Sequence, residues 1–403
     1  MSIYARIIGR RIAPVLIALA VVLGLAIETV PAIATPLREN APAAAPSLTL
    51  PKGVKGWSNP QSDSFYTGPN DKRFTNSLKA ALKAAPAGAT VRVSTYAISD
   101  ATMVKAFKDA HKRHVNVQVT TWTRAYKANK KLINQLKKAL GRNVTKPSYL
   151  KLCSGSCYKS GKDKAAQHAK IVTISNVLDT NGQQVRDVVF ITSANFSKAA
   201  VTRTWNHSQL VVGCAKMYKA LTSYIDGMKY DHTKYFKPVP ACGYTLYLYP
   251  SARVTNPATT ELKSLRAQLG CKVRVMMYVW TMSEAKTAEV IGKLRDDGHG
   301  HKCDVAVIVT SGQTAKGIIK ILRKHHVRLY NARIHGRYLH AKVVAIAGKI
   351  GKKSVNDVFS GSANFSWSAM ARNTDTQLKS SGKSRVQEAF DFFDRVAKMS
   401  KRL

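Results

Sequence analysis

Acidic side chains are scarce in this sequence. Its 403 residues hold 22 Asp and Glu against 64 Lys and Arg, a formal charge of +42 at pH 7. That imbalance exceeds what solubility asks for, so a solvated coat is a poor account of it. It selects polyanions, nucleic acid or an anionic phospholipid surface, bound in a salt-dependent way. Long apolar runs are also scarce. Beyond one stretch near the N-terminus, no segment is long and apolar enough to span a bilayer. Cysteine is limited to six residues. Cys153-x3-Cys157 has no matching second pair, so zinc finds no support, and His299-Gly300-His301-Lys302-Cys303 reads as a solvated loop beside a disulfide. No nucleic-acid-binding motif is recognisable.

The one apolar stretch, from about Ile12 to Ile27, follows Arg6, Arg10 and Arg11 and precedes Ala32-Ile33-Ala34. This is the pattern of a cleaved secretory signal over residues 1–34, and it implies a secreted, extracellular protein. An oxidising destination turns an even number of cysteines into disulfides. Nearness in sequence pairs Cys153 with Cys157, Cys214 with Cys242 and Cys271 with Cys303. Residues 35–60, centred on Ala41-Pro42-Ala43-Ala44-Ala45-Pro46, show neither helical nor strand periodicity and read as a flexible spacer.

What the chain does have is one short constellation, twice. His168-Ala169-Lys170 is followed by Ser193-Ala194-Asn195-Phe196-Ser197, and His340-Ala341-Lys342 by Ser362-Ala363-Asn364-Phe365-Ser366. The histidines lie 172 residues apart, and the His-to-Asn spacing is 27 and 24. A lone His-x-Lys is worthless as a signal, but two copies with an identical five-residue partner block imply an internal duplication. In each copy an apolar run opens after the lysine (Ile171-Val172-Thr173-Ile174; Val343-Val344-Ala345-Ile346), and a second (Val188-Val189-Phe190-Ile191; Val358-Phe359) leads into the Asn block. Both read as buried strands. Residues two apart in extended chain share a face, so imidazole, ammonium, amide and hydroxyl converge.

That set suits a phosphodiester. One neutral imidazole can attack phosphorus to give a phospho-histidine, and a second can donate to the leaving oxygen and then activate water. Ammonium and amide groups would stabilise the non-bridging oxygens. Neither metal nor cofactor is needed for this chemistry, and the residues alone leave open which histidine attacks.

At this level the sequence resembles the phospholipase D superfamily, whose repeated signature is His-x-Lys-(x)4-Asp followed by Gly-Ser-x-Asn. The resemblance implies catalytic roles for His168 and His340, with His168 the nucleophile by the habit of many members. It implies phosphate binding by Lys170, Lys342, Asn195 and Asn364, with Ser193 and Ser362 beside them. The departures are specific. The Asp slot holds Ser175 and Ala347, and Thr192 replaces the Gly that the second copy keeps as Gly361. Where the family often has a His-orienting acid, Asn206-His207-Ser208 and Asn373-Thr374-Asp375 occupy the places, so Asp375 is the candidate orienter and Ser208 stands in an acidic slot.

Around these motifs the two halves repeat one order. Residues 91–96, 273–280, 115–119, 304–309 and 327–330 read as strands, and 100–112, 283–294 and 314–324 as helices. The expected fold is α/β: two similar sheet-and-helix domains, 61–240 and 241–403, related by a pseudo-two-fold with the active site at their interface. The expected partner is an anionic phosphodiester substrate, with no obligate protein partner evident. The expected function is a secreted phosphodiesterase, phospholipid slightly ahead of nucleic acid, the alternatives being a nuclease or a non-catalytic polyanion binder.

Overall fold

Valine- and isoleucine-rich runs build two sheets in a computed structural model that describes residues 55–58, 60–159, 164–252, 254–296 and 302–403. The signal segment, nearly all of the spacer and His299-Gly300-His301 lie outside these residues. Trp57, at the end of the stretch read as spacer, is buried, and its N–H bonds the Leu178 carbonyl at 2.9 Å, so the packed chain starts earlier than expected.

The first half runs β1 (Asp63–Thr67), α1 (Arg73–Ala84), β2 (Thr90–Thr95), α2 (Ala101–Lys112), β3 (Asn116–Trp122), α3 (Thr123–Ala128), α4 (Lys130–Leu140), β4 (Tyr149–Cys153), β5 (Ile171–Leu178), β6 (Gln184–Thr192), α5 (Lys198–Thr202), β7 (Thr204–Val211) and α6 (Ala215–Gly227). The second continues β8 (Val239–Ala241), β9 (Tyr244–Tyr249), α7 (Pro257–Ser264), β10 (Lys272–Met277), α8 (Ala285–Arg295), β11 (Asp304–Val309), α9 (Lys316–Lys324), β12 (Arg328–Asn331), β13 (Tyr338–Leu339), β14 (Lys342–Ile350), β15 (Lys353–Gly361), α10 (Trp367–Ala371), β16 (Asp375–Ser381), α11 (Lys383–Lys398) and β17 (Lys401–Arg402).

The sheets are duplicates. One is ordered β1-β7-β6-β5-β2-β3-β4, the other β9-β16-β15-β14-β10-β11-β12, with β8 and β17 added at its edges. Directions match as well: β2, β3 and β4 are mutually parallel like β10, β11 and β12, and the other neighbours in each order are antiparallel. Strand alternation sorts the faces. Val91 and Val93 of β2 enter a core with α1, α2 and α4, while Arg92 between them reaches Asp226 of α6 on the other side at 3.1 Å. In β10, Val273 and Val275 enter the core under α7, α8 and α9, and Arg274 bonds Asp304 at 2.6 Å. Helix starts follow local chemistry: the Asp100 carboxylate accepts from Thr102 N at 2.8 Å, and Asn256 caps α7 ahead of Pro257.

Two further cores join the halves. Leu246, Leu248 and Leu378 of the second sheet pack with α6, and Tyr66 and Trp205 of the first pack with α11. The backbone exchange across this join is reciprocal. β13 leaves its own sheet to pair with Thr204 and Trp205 of β7, and Gln167 bridges Thr374. His168 N–H donates to the Thr374 carbonyl and His340 N–H to the Trp205 carbonyl, each at 2.9 Å. Each motif histidine is thus held by the opposite half. The disulfides are Cys153–Cys157, Cys214–Cys242 and Cys271–Cys303, the pairing expected from nearness.

Candidate active site

Each His-x-Lys lies in the extended approach to a strand, β5 or β14, and keeps the strand's alternation. Ala169 and Ala341 turn into the joining cores, while the flanking His and Lys turn the other way. Lys170 is 0% and Lys342 2% exposed, and each ammonium donates to the carbonyl of its own histidine, Lys342 at 2.5 Å. His168 keeps 14% of its side chain accessible.

The two histidines differ in what holds Nδ1. His168 Nδ1 lies 2.7 Å from Asp375 Oδ1, a carboxylate supplied by the other half at the start of β16. Asp375 is fully buried and also accepts from Ser362 Oγ at 2.6 Å. His340 Nδ1 instead faces Lys342 Nζ at 3.3 Å. The counterpart of Asp375 is Asn206: Ser193 Oγ donates to Asn206 Oδ1 at 3.0 Å, as Ser362 does to Asp375. The sequence reading that set Ser208 in the acidic slot is corrected here, because Ser208 Oγ lies two residues further along β7 and bonds Thr192 Oγ1 at 2.6 Å. The carboxylate survives in one half and is an amide in the other.

The asymmetry sets the electrostatics. Burial is the largest influence on all four groups and disfavours charge. It pushes His168 down to about 4, aided by Lys170 and Lys342 and opposed by Asp375. Lys170 is lowered to about 7 by burial, again opposed by Asp375. Lys342 falls well below its ordinary range through burial and Lys170. His340 is held well below its ordinary value by burial and then by Lys342, Lys170 and His168. Burial thus holds both imidazoles and both amines towards their neutral forms, and an entering phosphate would favour the charged ones.

Asn195 and Asn364 sit just past the ends of β6 and β15. Asn195 Oδ1 is buried without a hydrogen-bond partner, and Asn364 Oδ1 accepts from Val279 N at 3.2 Å. Ser193 and Ser362, expected beside the phosphate-binding groups and candidates for that binding themselves, lie behind Asn206 and Asp375. Both are fully buried, with hydroxyls committed to Asn206 and Asp375, so they brace the half-sites rather than face the opening. Gly361 is required where it stands: its φ is +146°, and a Cβ there would meet the Thr376 carbonyl oxygen at 2.3 Å. Thr192 in the other half accepts from Ala194 N at 2.9 Å. Ser175 and Ala347 lie deep in β5 and β14, where Ser175 Oγ accepts from Thr90 N at 2.9 Å and Ala347 pairs Lys272.

Two tyrosines belong to the site and were not anticipated. Tyr96 lies 5.3 Å from the His168 ring and Tyr278 4.6 Å from the His340 ring, centroid to centroid. Lys170 Nζ stands 5.3 Å over Tyr96 and Lys342 Nζ 5.0 Å over Tyr278, giving each poorly solvated ammonium a π face. Each follows the end of a central strand, β2 or β10. The signal available was that both duplicated strands run into a tyrosine, Thr95-Tyr96 and Met277-Tyr278. Among the described residues no group of three or more His, Cys, Asp or Glu is placed to hold a metal ion.

Residues 78–228 match the family model described as cardiolipin synthase, PLD-like domain. No curated protein matches the chain. Among solved structures, phosphatidylserine synthase from Haemophilus influenzae Rd KW20 superposes with a TM-score of 0.54 at 10% identity, over 84% of this chain and 87% of that one. Polyphosphate kinase from Porphyromonas gingivalis superposes with a TM-score of 0.53 at 11% identity, over 83% of this chain and 50% of that one. The chain therefore spans about half the length of that kinase. At these identities the likeness is one of fold, a mixed α/β architecture built twice.

Proposed function

We propose that this chain, a phospholipase D superfamily protein by its family match and its fold, is an exported phosphodiesterase that works through a phospho-histidine on His168. The observation that carries the reading is the Asp375–His168 pair at 2.7 Å, reaching from one half into the other. With its Nδ1–H directed at the carboxylate, His168 presents the Nε2 lone pair. Attack forms an Nε2–P bond and breaks the P–O bond to the leaving group, whose oxygen takes a proton from His340; burial and the two lysines disfavour that proton before substrate binds, and the charge of the bound phosphate favours it. The phospho-imidazolium that results is stabilised by the Asp375 charge. His340 then accepts a proton from water, the hydroxide attacks phosphorus, and the N–P bond breaks to release a phosphomonoester. Lys170, Lys342 and the amides of Asn195 and Asn364 stabilise charge on the non-bridging oxygens throughout. The N-terminal signal and three disulfides support export.

The test is turnover of bis(p-nitrophenyl) phosphate by the purified chain in the presence of EDTA. We expect His168→Ala and His340→Ala each to abolish it, and an acid-labile phosphoryl group to be trapped on His168 in the wild type. A single mutant that kept near wild-type turnover would overturn the two-histidine scheme. Within the phosphodiesters the sequence leaves phospholipid and nucleic acid nearly level, and a groove beside α10 moves nucleic acid ahead.

A further inference from the structure

Among the described residues, large exposed apolar side chains are few, and three of them, Trp367 (42% exposed), Tyr235 (48%) and Val254, line the same groove, two of them aromatic. The groove holds about 490 Å³ and is also lined by Lys159, Ser251 and Arg372, with no acidic side chain among the described residues that line it. Each ring carries its own cation. The Arg372 guanidinium stands 4.4 Å from the Trp367 centroid, and Lys159 Nζ stands 4.6 Å over Tyr235 while donating to its hydroxyl at 2.7 Å. A single exposed aromatic is an ordinary surface feature. Two ring–cation pairs in one concave surface make a receptor for something both flat and anionic.

The groove is anchored to the catalytic repeat at both ends. Trp367 opens α10 three residues after Asn364, at most about 10 Å along extended chain. Arg372 directly precedes Asn373 and Thr374, whose Oδ1 and carbonyl accept from Ala166 N and His168 N at 2.9 Å. In the duplicated half, Lys198 and Arg203 flank α5 where Trp367 and Arg372 flank α10. Both sides of the site therefore carry cations, and only the second adds a ring. A ring recessed in a concave wall suits a base lying against it; insertion into a bilayer wants rings projecting from a convex surface.

We propose that this groove is a stacking subsite for a nucleotide flanking the scissile phosphate of a single-stranded nucleic acid, with the base on Trp367 and the adjoining phosphates on Arg372 and Lys159. The proposal deepens the phosphodiesterase reading and rests on it for the position of the scissile bond. A duplex keeps its bases stacked on one another, so the subsite selects single strands.

The test compares wild type, Trp367→Ala and Trp367→Phe, each as the full chain, on a single-stranded oligonucleotide and on bis(p-nitrophenyl) phosphate. Stacking on an aromatic side chain is worth about 1–3 kcal/mol per base, so Trp367→Ala should lose about 5- to 140-fold more kcat/KM on the oligonucleotide than on the small diester, with Trp367→Phe recovering most of it. Equal losses on both substrates would overturn the subsite. Oligonucleotide should also quench the emission of Trp367, the most exposed of the five tryptophans, more strongly than an equal length of duplex. This binding readout stands even if neither substrate is cut, in which case the phosphodiesterase reading fails and the groove is still decided. No Trp367-dependent quenching by oligonucleotide would sink the proposal, and a blue shift with phosphatidylglycerol vesicles accompanied by head-group release would assign the groove to lipid instead.

Discussion

Replacing Asp375 with Asn is the sharpest single perturbation of this site, because one atom changes and three consequences follow. The carboxylate is fully buried, holds His168 Nδ1 at 2.7 Å and accepts from Ser362 Oγ at 2.6 Å. An amide of the same shape keeps the packing. It removes the charge that would support the proposed phospho-imidazolium on His168, an interaction of about 4 kcal/mol at ~4 Å for an effective dielectric of ~20. It also permits the amide NH2 to face Nδ1, which stabilises the tautomer whose Nε2 carries a proton and cannot attack. An Asp-to-Asn change at the orienting acid of a catalytic histidine costs about 10⁴ in kcat where it has been isolated. For His168, which is also held by its backbone to Thr374, we expect a fall of about 10²–10⁴, or about 3–5 kcal/mol in the barrier. Asp375 counters burial for both His168 and Lys170, so its loss moves both groups further below their ordinary pKa values. Initial rates on bis(p-nitrophenyl) phosphate across pH, with a thermal melt as control, read all of this. A variant that melts like wild type, turns over within threefold of it and keeps its pH profile would refute the orienting role.

The half-site without a carboxylate gives the converse experiment. Asn206→Asp puts a carboxylate at the position Asp375 holds in the other half, next to the Trp205 carbonyl that accepts from His340 N–H, and should shift the descending limb of the pH–rate profile to higher pH; an unmoved limb would remove His340 as the proton donor. Stability should also depend on acid in a defined window. His168 and His207 are lowered by burial to about 4 and about 3, and His340 falls well below its ordinary value. Between those values and about 6.5 the unfolded chain binds protons that the folded chain does not, so stability is full above about 6.5 and lost as pH falls towards 4. Urea unfolding at pH 4.5 and 7 measures it, and equal midpoints would contradict the burial assigned to these rings.

Much of the architecture was legible because the chain states it twice. The apolar runs after each lysine became β5 and β14, the run at 304–309 became β11, and Asp100 capped α2 as a helix start should. The hairpins β5–β6 and β14–β15 were legible only at their buried ends, since their outer halves carry polar residues such as Gln184 and Lys353 that the periodicity of a buried strand omits. The site was legible as a set of residue types, with Asp375 already marked as the orienting acid of a histidine, but which groups pair with which was not. That Asp375 serves a histidine 207 residues away, while Ser362 serves Asp375, depends on which half each backbone crosses into. Tyr96 and Tyr278 were hidden because a tyrosine ending a strand reads as ordinary strand composition.

The departures from the family signature sort by their distance from the phosphate. Ser175 and Ala347, which stand where the signature has Asp, lie five residues beyond Lys170 and Lys342, about 17 Å along extended chain. There Ser175 Oγ satisfies a backbone N–H of β2, a task a hydroxyl performs as well as a carboxylate, and Ala347 lies against β10 where no charge is called for. Those positions shape the sheet rather than the chemistry. Asn206 is different, for it stands within one serine of the site and takes the charge out of one half only. A symmetric pair of acid-backed histidines would make two interchangeable bases. One imidazole backed by a carboxylate and one faced by an amine are not equivalent, so under the proposed mechanism the first step has a fixed direction.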